Sequence, residues 1–318
     1  MSRLAPYVAR RLVTAALLVT AASVAVFALL WLAPGDPAQI LLGTRSATPS
    51  ALAAVRAAYH LDDPVVVQYL HWAGSALRLD FGQSIQTRQP VTSLIAERAP
   101  VTVELALYAI AIVVAVGVPL GMVAGARRGR LTDRVVTGVS TLAVSAPAFA
   151  LGILLLSVLG AGLGLFPVFS AGEEGLDRLW HLTLPALTLA AGQAAVVVRQ
   201  TRASALGVYG QDYLTFARAR GLSSGLVWRR YALRNAALPV VTTVGLLLAS
   251  GVTGAVLVEQ TFSLQGLGAL AVTAVNTKDV PVVQAISLLV AVAVVVANLA
   301  VDLVQLALDA RVRARVLG

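Results

Sequence analysis

The sequence predicts an all-α integral membrane protein with six transmembrane helices and an extended outer segment after the first. Three observations predict it. The 318 residues are 58% hydrophobic and only 12% charged, with a mean hydropathy of +0.84, more apolar surface than a soluble domain of this length needs. The apolar residues collect into six runs of about 20 residues, the length that crosses a bilayer. The basic residues fall between alternate runs, as membrane topology requires.

The first span covers Leu12 to Leu32, behind Arg10 and Arg11. It is longer than the apolar stretch of a secretory signal, and "APGDPAQ" makes a poor cleavage site, so it reads as a retained helix. A mixed polar segment follows to Pro100, too long and too polar for a tight turn. Ser50 to Tyr59 reads as a helix capped by Ser50, and Val65 to Leu79 as another. Asp36, between two prolines, reads first as a turn cap. The second span runs from Val101 to Ala126. Gly117, Gly121 and Gly125 recur every four residues and give it one flat face for close packing, and Pro119 predicts a kink.

Arg127, Arg128, Arg130 and Arg134 make the next connection. The third span reads from Val135 to Leu163, with Pro147 bending or breaking it. The fourth, Leu182 to Arg202, is the least apolar, carrying Pro185, Gln193 and Arg199. The fifth runs from Leu238 to Val258 and the sixth from Val280 to Val301. Tyr69, Trp72, Phe81 and Trp180 read first as interfacial anchors. Glu259 reads as an acid at the outer membrane interface, either gating or pairing with an arginine.

Charge gives the orientation. The N-terminus, the connections after spans two and four, and the C-terminus carry seventeen of the 24 Lys and Arg and only four of the 15 acids. The positive-inside rule places them, and both termini, in the cytoplasm.

Several classes are excluded. The arginines flank apolar spans and line no soluble face, which removes a nucleic-acid reading. There is no cysteine, hence no disulfide and no thiolate metal site. His60, His71 and His181 have no paired metal spacing, so no metal site, cofactor or catalytic residue is expected. The only lysine, Lys278, is followed by Asp279, so no Walker A motif exists. No span carries an ionisable residue near its middle, as an ion-driven carrier would; Glu104 and Asp302 lie near span ends.

The stretch Gln211 to Pro239 is rich in arginine and reads as two short helices around a glycine elbow. Asp212 is placed to cap the first, and Tyr213, Phe216, Ala217 and Arg220 share one of its faces. Gly221 stands where a helix end takes a left-handed residue, with Leu222 as its apolar contact. Ser223 or Ser224 caps the second helix, which is expected to end before Pro239. On spacing alone this element serves equally as a cytoplasmic docking device or as a charge determinant of topology.

The residues "ARARGL" (Ala217, Arg218, Ala219, Arg220, Gly221, Leu222) followed by Leu238–Pro239 resemble the conserved cytoplasmic loop of bacterial ABC importer permeases of the dipeptide/oligopeptide/nickel family. The family's acidic residue is missing from its usual place. Further resemblances are "LAPGDPA", "LHWAGSALRLDFGQSIQTRQPV", "ERAPVTVELAL", "HLTLPALTLA" and "VEQTFSLQGLG". "DARVR" resembles the closing motif, with Ala310 where proline is usual, and Leu264–Gln265 stand where the family often has Trp-Pro. The long outer segment resembles the first of the family's two permeases.

The resemblance implies a type I importer fold. Residues 1–32 would be the N-terminal tail and first span, 33–100 an extracytoplasmic segment, 101–308 the core, 203–237 the ATPase-coupling loop and 309–318 a basic cytoplasmic tail. It implies a multi-pass protein of the bacterial cell membrane. Its partners would be a homologous second permease, two ATPases that hold ATP and magnesium, and an external solute-binding protein. The cargo would be di- or oligopeptides, with nickel or a metal chelate as the alternative. Outside the family, an ion-driven carrier or a non-transporting scaffold stays open.

Overall fold

The computed structural model describes residues 4–32, 34–43 and 48–308; side chains are described throughout these except at 4–5, at 307–308 and in short stretches between 218 and 252. The tail 309–318, with "DARVR", lies outside the described residues.

The described residues are helical apart from turns and one isolated bridge, Gln83–Pro90. The elements are α1 (Leu4–Leu32), α2 (Pro37–Leu42), α3 (Pro49–Ala58), α4 (Val65–Leu77), α5 (Val91–Ala126), α6 (Leu131–Ser145), α7 (Ala148–Leu155), α8 (Leu176–Tyr209), α9 (Asp212–Ala219), α10 (Ser224–Leu226), α11 (Arg234–Thr261), α12 (Leu267–Asn276) and α13 (Val280–Leu308). Wide π-helical turns extend α7 over Leu156–Gly162 and join α10 to α11 over Val227–Leu233.

Four helices, α1, α5, α8 and α13, are each long and apolar enough to cross a membrane. The pair α6 and α7 makes a fifth candidate, bent by 104°. The bend falls at Pro147, which lacks the amide proton to continue the ladder and pushes Ala146 into extended backbone. The expected fifth span, Leu238–Val258, falls inside α11, part of whose side chains lie outside the described residues.

Other expectations are corrected. Thr48, not Ser50, caps α3: its Oγ1 accepts from Ala51 N at 3.2 Å. α5 starts ten residues early and runs through Pro100 and Pro119 without a break. The second helix of the arginine-rich loop does not end before Pro239; helical backbone continues through it to Thr261. A proline inside a membrane helix is tolerated where neighbouring groups satisfy the freed carbonyl.

The described residues form two compact units, one within 4–7, 103–264 and 297–308, the other within 8–102 and 265–296. In the first, α8 is the axis: α6, α7 and α11 all pack against it. It is the least apolar candidate span, with mean hydropathy 1.5, and the most buried, at 61% of its central stretch. Its polarity follows from that position, since a helix surrounded by protein need not match lipid. The glycine face of α5 lies on α8. A Cβ at Gly121 would stand 2.5 Å from Thr201 Cβ and 2.7 Å from the Val198 carbonyl, and one at Gly125 2.6 Å from Ala205 Cβ. Only a hydrogen on that face permits the approach.

The second unit has its own core, in which Val26, Phe81, Val91, Leu94, Val282 and Ile286 meet. Phe81 is therefore a core residue, not an interfacial anchor. Tyr69 and Trp72 pack their rings on Phe27, with centroids at 5.6 and 5.8 Å. Buried Asp279 ties residues 84–86 to the start of α13, accepting from Ser84 Oγ at 2.5 Å and from Ile85 N at 3.1 Å.

Candidate functional site

The arginine-rich loop is a built element. α9 begins at Asp212, so Asp212 sits in its first turn instead of capping it. The helix ends in a Schellman turn: Gly221 has φ +76°, and Leu222 N donates to the Ala217 carbonyl at 3.3 Å. Glycine takes that left-handed conformation without the Cβ penalty of other residues. Ser223 then caps α10, its Oγ accepting from Leu226 N at 3.4 Å.

Two apolar clusters seat this element. Leu214, Ala217 and Val227 are buried together, with Leu222, Tyr231, Val208 and Tyr209 against them. Trp228 and Leu233 pack with Val118 and Met122 of α5 and Ala205, Val208 and Tyr209 of α8. Tyr209 and Val208 belong to both clusters, so the loop is held on the ends of α5 and α8 by continuous contact. The opposite face of α9 is open: Phe216 is 69% exposed and Tyr213 39%, and Ala219 and Arg220 are exposed as well. The four residues expected on one face thus divide, with Ala217 turned inward. The side chain of Arg218 lies outside the described residues.

A second tie lies beside it. Asp133, in the first turn of α6, is buried and takes both oxygens to Arg202 of α8, at 2.5 Å from Nε and 2.9 Å from the terminal nitrogen. Gly129 N donates to the same carboxylate at 2.8 Å. A two-pronged guanidinium–carboxylate pair fixes angle as well as distance. It locks the turn after α5, the start of α6 and the last turns of α8 as one body, seven residues before Tyr209.

The family described as the binding-protein-dependent transport system inner membrane component matches residues 117–314. The chain belongs to this family. The companion N-terminal region of binding-protein-dependent transport membrane components matches residues 4–106. Among relatives, a glutathione transport system permease of Escherichia coli is 38% identical over 307 residues, covering 96% of this chain and 98% of that one. The dipeptide transport system permease of Escherichia coli is 36% identical over 313 residues, covering 90% and 92%. A probable peptide ABC transporter permease of Sinorhizobium fredii is 35% identical over 310 residues, covering 96% and 99%. The inward-facing MetNI methionine ABC transporter shares the fold, with a TM-score of 0.55 at 16% identity over 68% of this chain and 96% of that one.

The remaining predicted residues of this permease are distributed elsewhere. Asp36 caps α2, accepting from Ala38 N at 3.0 Å and from Arg56 at 2.8 Å. Glu259 is fully buried in the last turns of α11, and its carbonyl accepts from Leu264 N at 2.8 Å. Sequence reasoning missed the Asp133–Arg202 pair. The signal available was a lone acid in a connection carrying four arginines. It also missed that His60 and His71 meet with ring centroids 4.1 Å apart.

Proposed function

We propose that this chain is the first permease of an ATP-driven, binding-protein-dependent importer of di- and oligopeptides. It forms half of the translocation pathway with a homologous second permease, and its cytoplasmic loop docks on one of the complex's two ATPases. α11 completes six crossings, with both termini in the cytoplasm, in keeping with the distribution of arginine. Relatives named for peptide, dipeptide and glutathione transport, over nearly the full chain, support the cargo class.

The observation that carries the reading is the seating of α9. Its buried side packs through Leu214 and Ala217 on Val208 and Tyr209 of α8, Trp228 and Leu233 of the following turns reach Val118 and Met122 of α5, and its open side offers Tyr213, Phe216 and Arg220. An exposed aromatic pair beside a cation is a surface that protein partners bury. Closure of two ATPases would push on that side, and the packed contacts would carry the displacement into the helices.

The test is ATP-dependent uptake of a dipeptide by proteoliposomes holding this chain, its second permease, both ATPases and the binding protein. Uptake that needs all five components supports the assignment. Uptake by this chain alone on an ion gradient would replace it with a secondary carrier.

A further inference from the structure

Asp133 is 4% exposed and takes two nitrogens of Arg202, whose side chain is 29% exposed. Withdrawing a carboxylate from water offsets much of what its partner returns, so such pairs are weak sources of stability. What a two-pronged pair does supply is a fixed angle.

The arginine-rich loop meets α5 and α8 directly. The two clusters that seat it hold Val118 and Met122 of α5 and Ala205, Val208 and Tyr209 of α8, and no described residue of α6 or α7. The pair α6 and α7 is held at its two ends instead. At the start of α6, Asp133 joins Arg202 and also takes Gly129 N of the preceding turn at 2.8 Å. At the other end, α7 is wedged between α8 and the end of α11. A Cβ at Gly152 would stand 3.1 Å from Thr188 Cγ2, 3.2 Å from Thr261 Cγ2 and 3.3 Å from Phe262 Cε2. Between the two holds lies the 104° bend, where Ala146 is extended and Pro147 interrupts the helical ladder. Large backbone changes are absorbed at such element ends.

We propose that Asp133 and Arg202 are a positioning pair that carries motion of the arginine-rich loop into α6, an inference that rests on the importer reading. The loop displaces the end of α8 on which it is seated, seven residues beyond Arg202. Thr188 lies about 21 Å further back along the same helix, at 1.5 Å per residue. A small tilt of α8 therefore moves Arg202 much more than it moves Thr188. The fixed angle makes α6 follow Arg202, while α7 stays with Thr188 and the end of α11. The bend at Ala146–Pro147 takes up the difference.

The test uses the complete complex in nanodiscs: both permeases, both ATPases and the binding protein. Nitroxides are placed at Leu131→Cys and Leu154→Cys, exposed positions on α6 and α7 of a chain without cysteine. Double electron–electron resonance then reads the distance across the bend. Trapping with ATP and vanadate should shift that distance in the otherwise wild-type chain. In Asp133→Asn/Arg202→Gln the shift should be lost. Dipeptide imported per ATP hydrolysed should fall at least about fivefold, the lower end of ordinary coupling, although the double variant recovers most of its melting temperature and retains its ATPases. Arg202→Lys, which keeps the charge with a single point of attachment, should lie between. A merely structural pair would leave the coupling ratio unchanged once stability is recovered. An unshifted distance in the wild type, full coupling in the stable double variant, or a double variant that does not assemble would each overturn the proposal. If the wild-type complex imports dipeptide with ATP while the bend stays fixed, only the role of the pair fails. If it imports none, the importer reading fails and the proposal with it.

Discussion

Asp133 and Arg202 are joined by two parallel hydrogen bonds, at 2.5 and 2.9 Å, across 69 residues of sequence. The carboxylate is 4% exposed. The pair fixes the turn after α5 against the last turns of α8, the helix that leads into the arginine-rich loop. It therefore sets the base from which that loop works.

Breaking one partner leaves an uncompensated buried charge. Arg202→Leu should destabilise the permease by about 3 kcal/mol, read as a lower melting temperature in detergent. The double variant Asp133→Asn/Arg202→Gln removes both charges and should recover much of the loss. A double variant no better than the single would assign the defect to lost packing.

Gly221 has φ +76°, and a Cβ built there meets nothing within 4 Å. The cost of a side chain is therefore backbone strain without a clash, about 1–2 kcal/mol. Gly221→Val should leave membrane insertion and binding-protein docking intact while it reduces solute-stimulated ATP hydrolysis and ATPase retention. Gly221→Asn, which tolerates the left-handed region better, should fall between. Wild-type stimulation and retention in Gly221→Val would return the loop to a topology determinant.

Ala217 and Ala219 lie two residues apart on opposite sides of α9. Ala217→Gln forces a polar side chain among Leu214, Val227 and Leu222 and should lower the thermal stability of the permease. Ala219→Gln should leave stability within about 0.5 kcal/mol, as exposed substitutions do, and weaken ATPase binding. Phe216→Ala should behave like Ala219→Gln. Equal effects of all three on stability would contradict the two-sided seating.

A Cβ at Gly121 would stand 2.5 Å from Thr201 Cβ and 2.7 Å from a backbone carbonyl. Gly121→Leu should separate α5 from α8 and block assembly, and Gly121→Ala should already lower the melting temperature. Normal assembly and transport in Gly121→Leu would exclude a packing role for the stripe.

The topology is open to cysteine labelling, since the chain has no cysteine of its own. A cysteine at Ser223 should be protected from an impermeant thiol reagent in intact cells and react after permeabilisation. Labelling from outside would reverse the charge argument.

Much of the loop was legible because its signals are local. The Schellman turn needs only Gly221 and Leu222 in order, and the Ser223 cap needs only a hydroxyl before a helix. The direction of Ala217 was not legible: helical spacing puts it on a face with Tyr213 and Phe216, but the inward side is chosen by what α5 and α8 present. The weak hydropathy of the fourth span was visible as a feature but not as a consequence of its central position. Pro239 misled the reading because the rule against proline in helices assumes water, while a packed bundle can satisfy the freed carbonyl.

The sequence by itself determined the membrane class, the approximate positions of the apolar helices, the break at Pro147 and the left-handed turn at Gly221. Hydropathy, proline geometry and helix capping act over a few residues and need no knowledge of neighbours. Only the tertiary structure decided that α8 is the axis, that Asp133 holds Arg202, and that Asp279 ties down residues 84–86 across almost 200 positions. Each depends on which helices pack side by side. That choice is made by close contact of whole faces, to which no single residue in the chain commits.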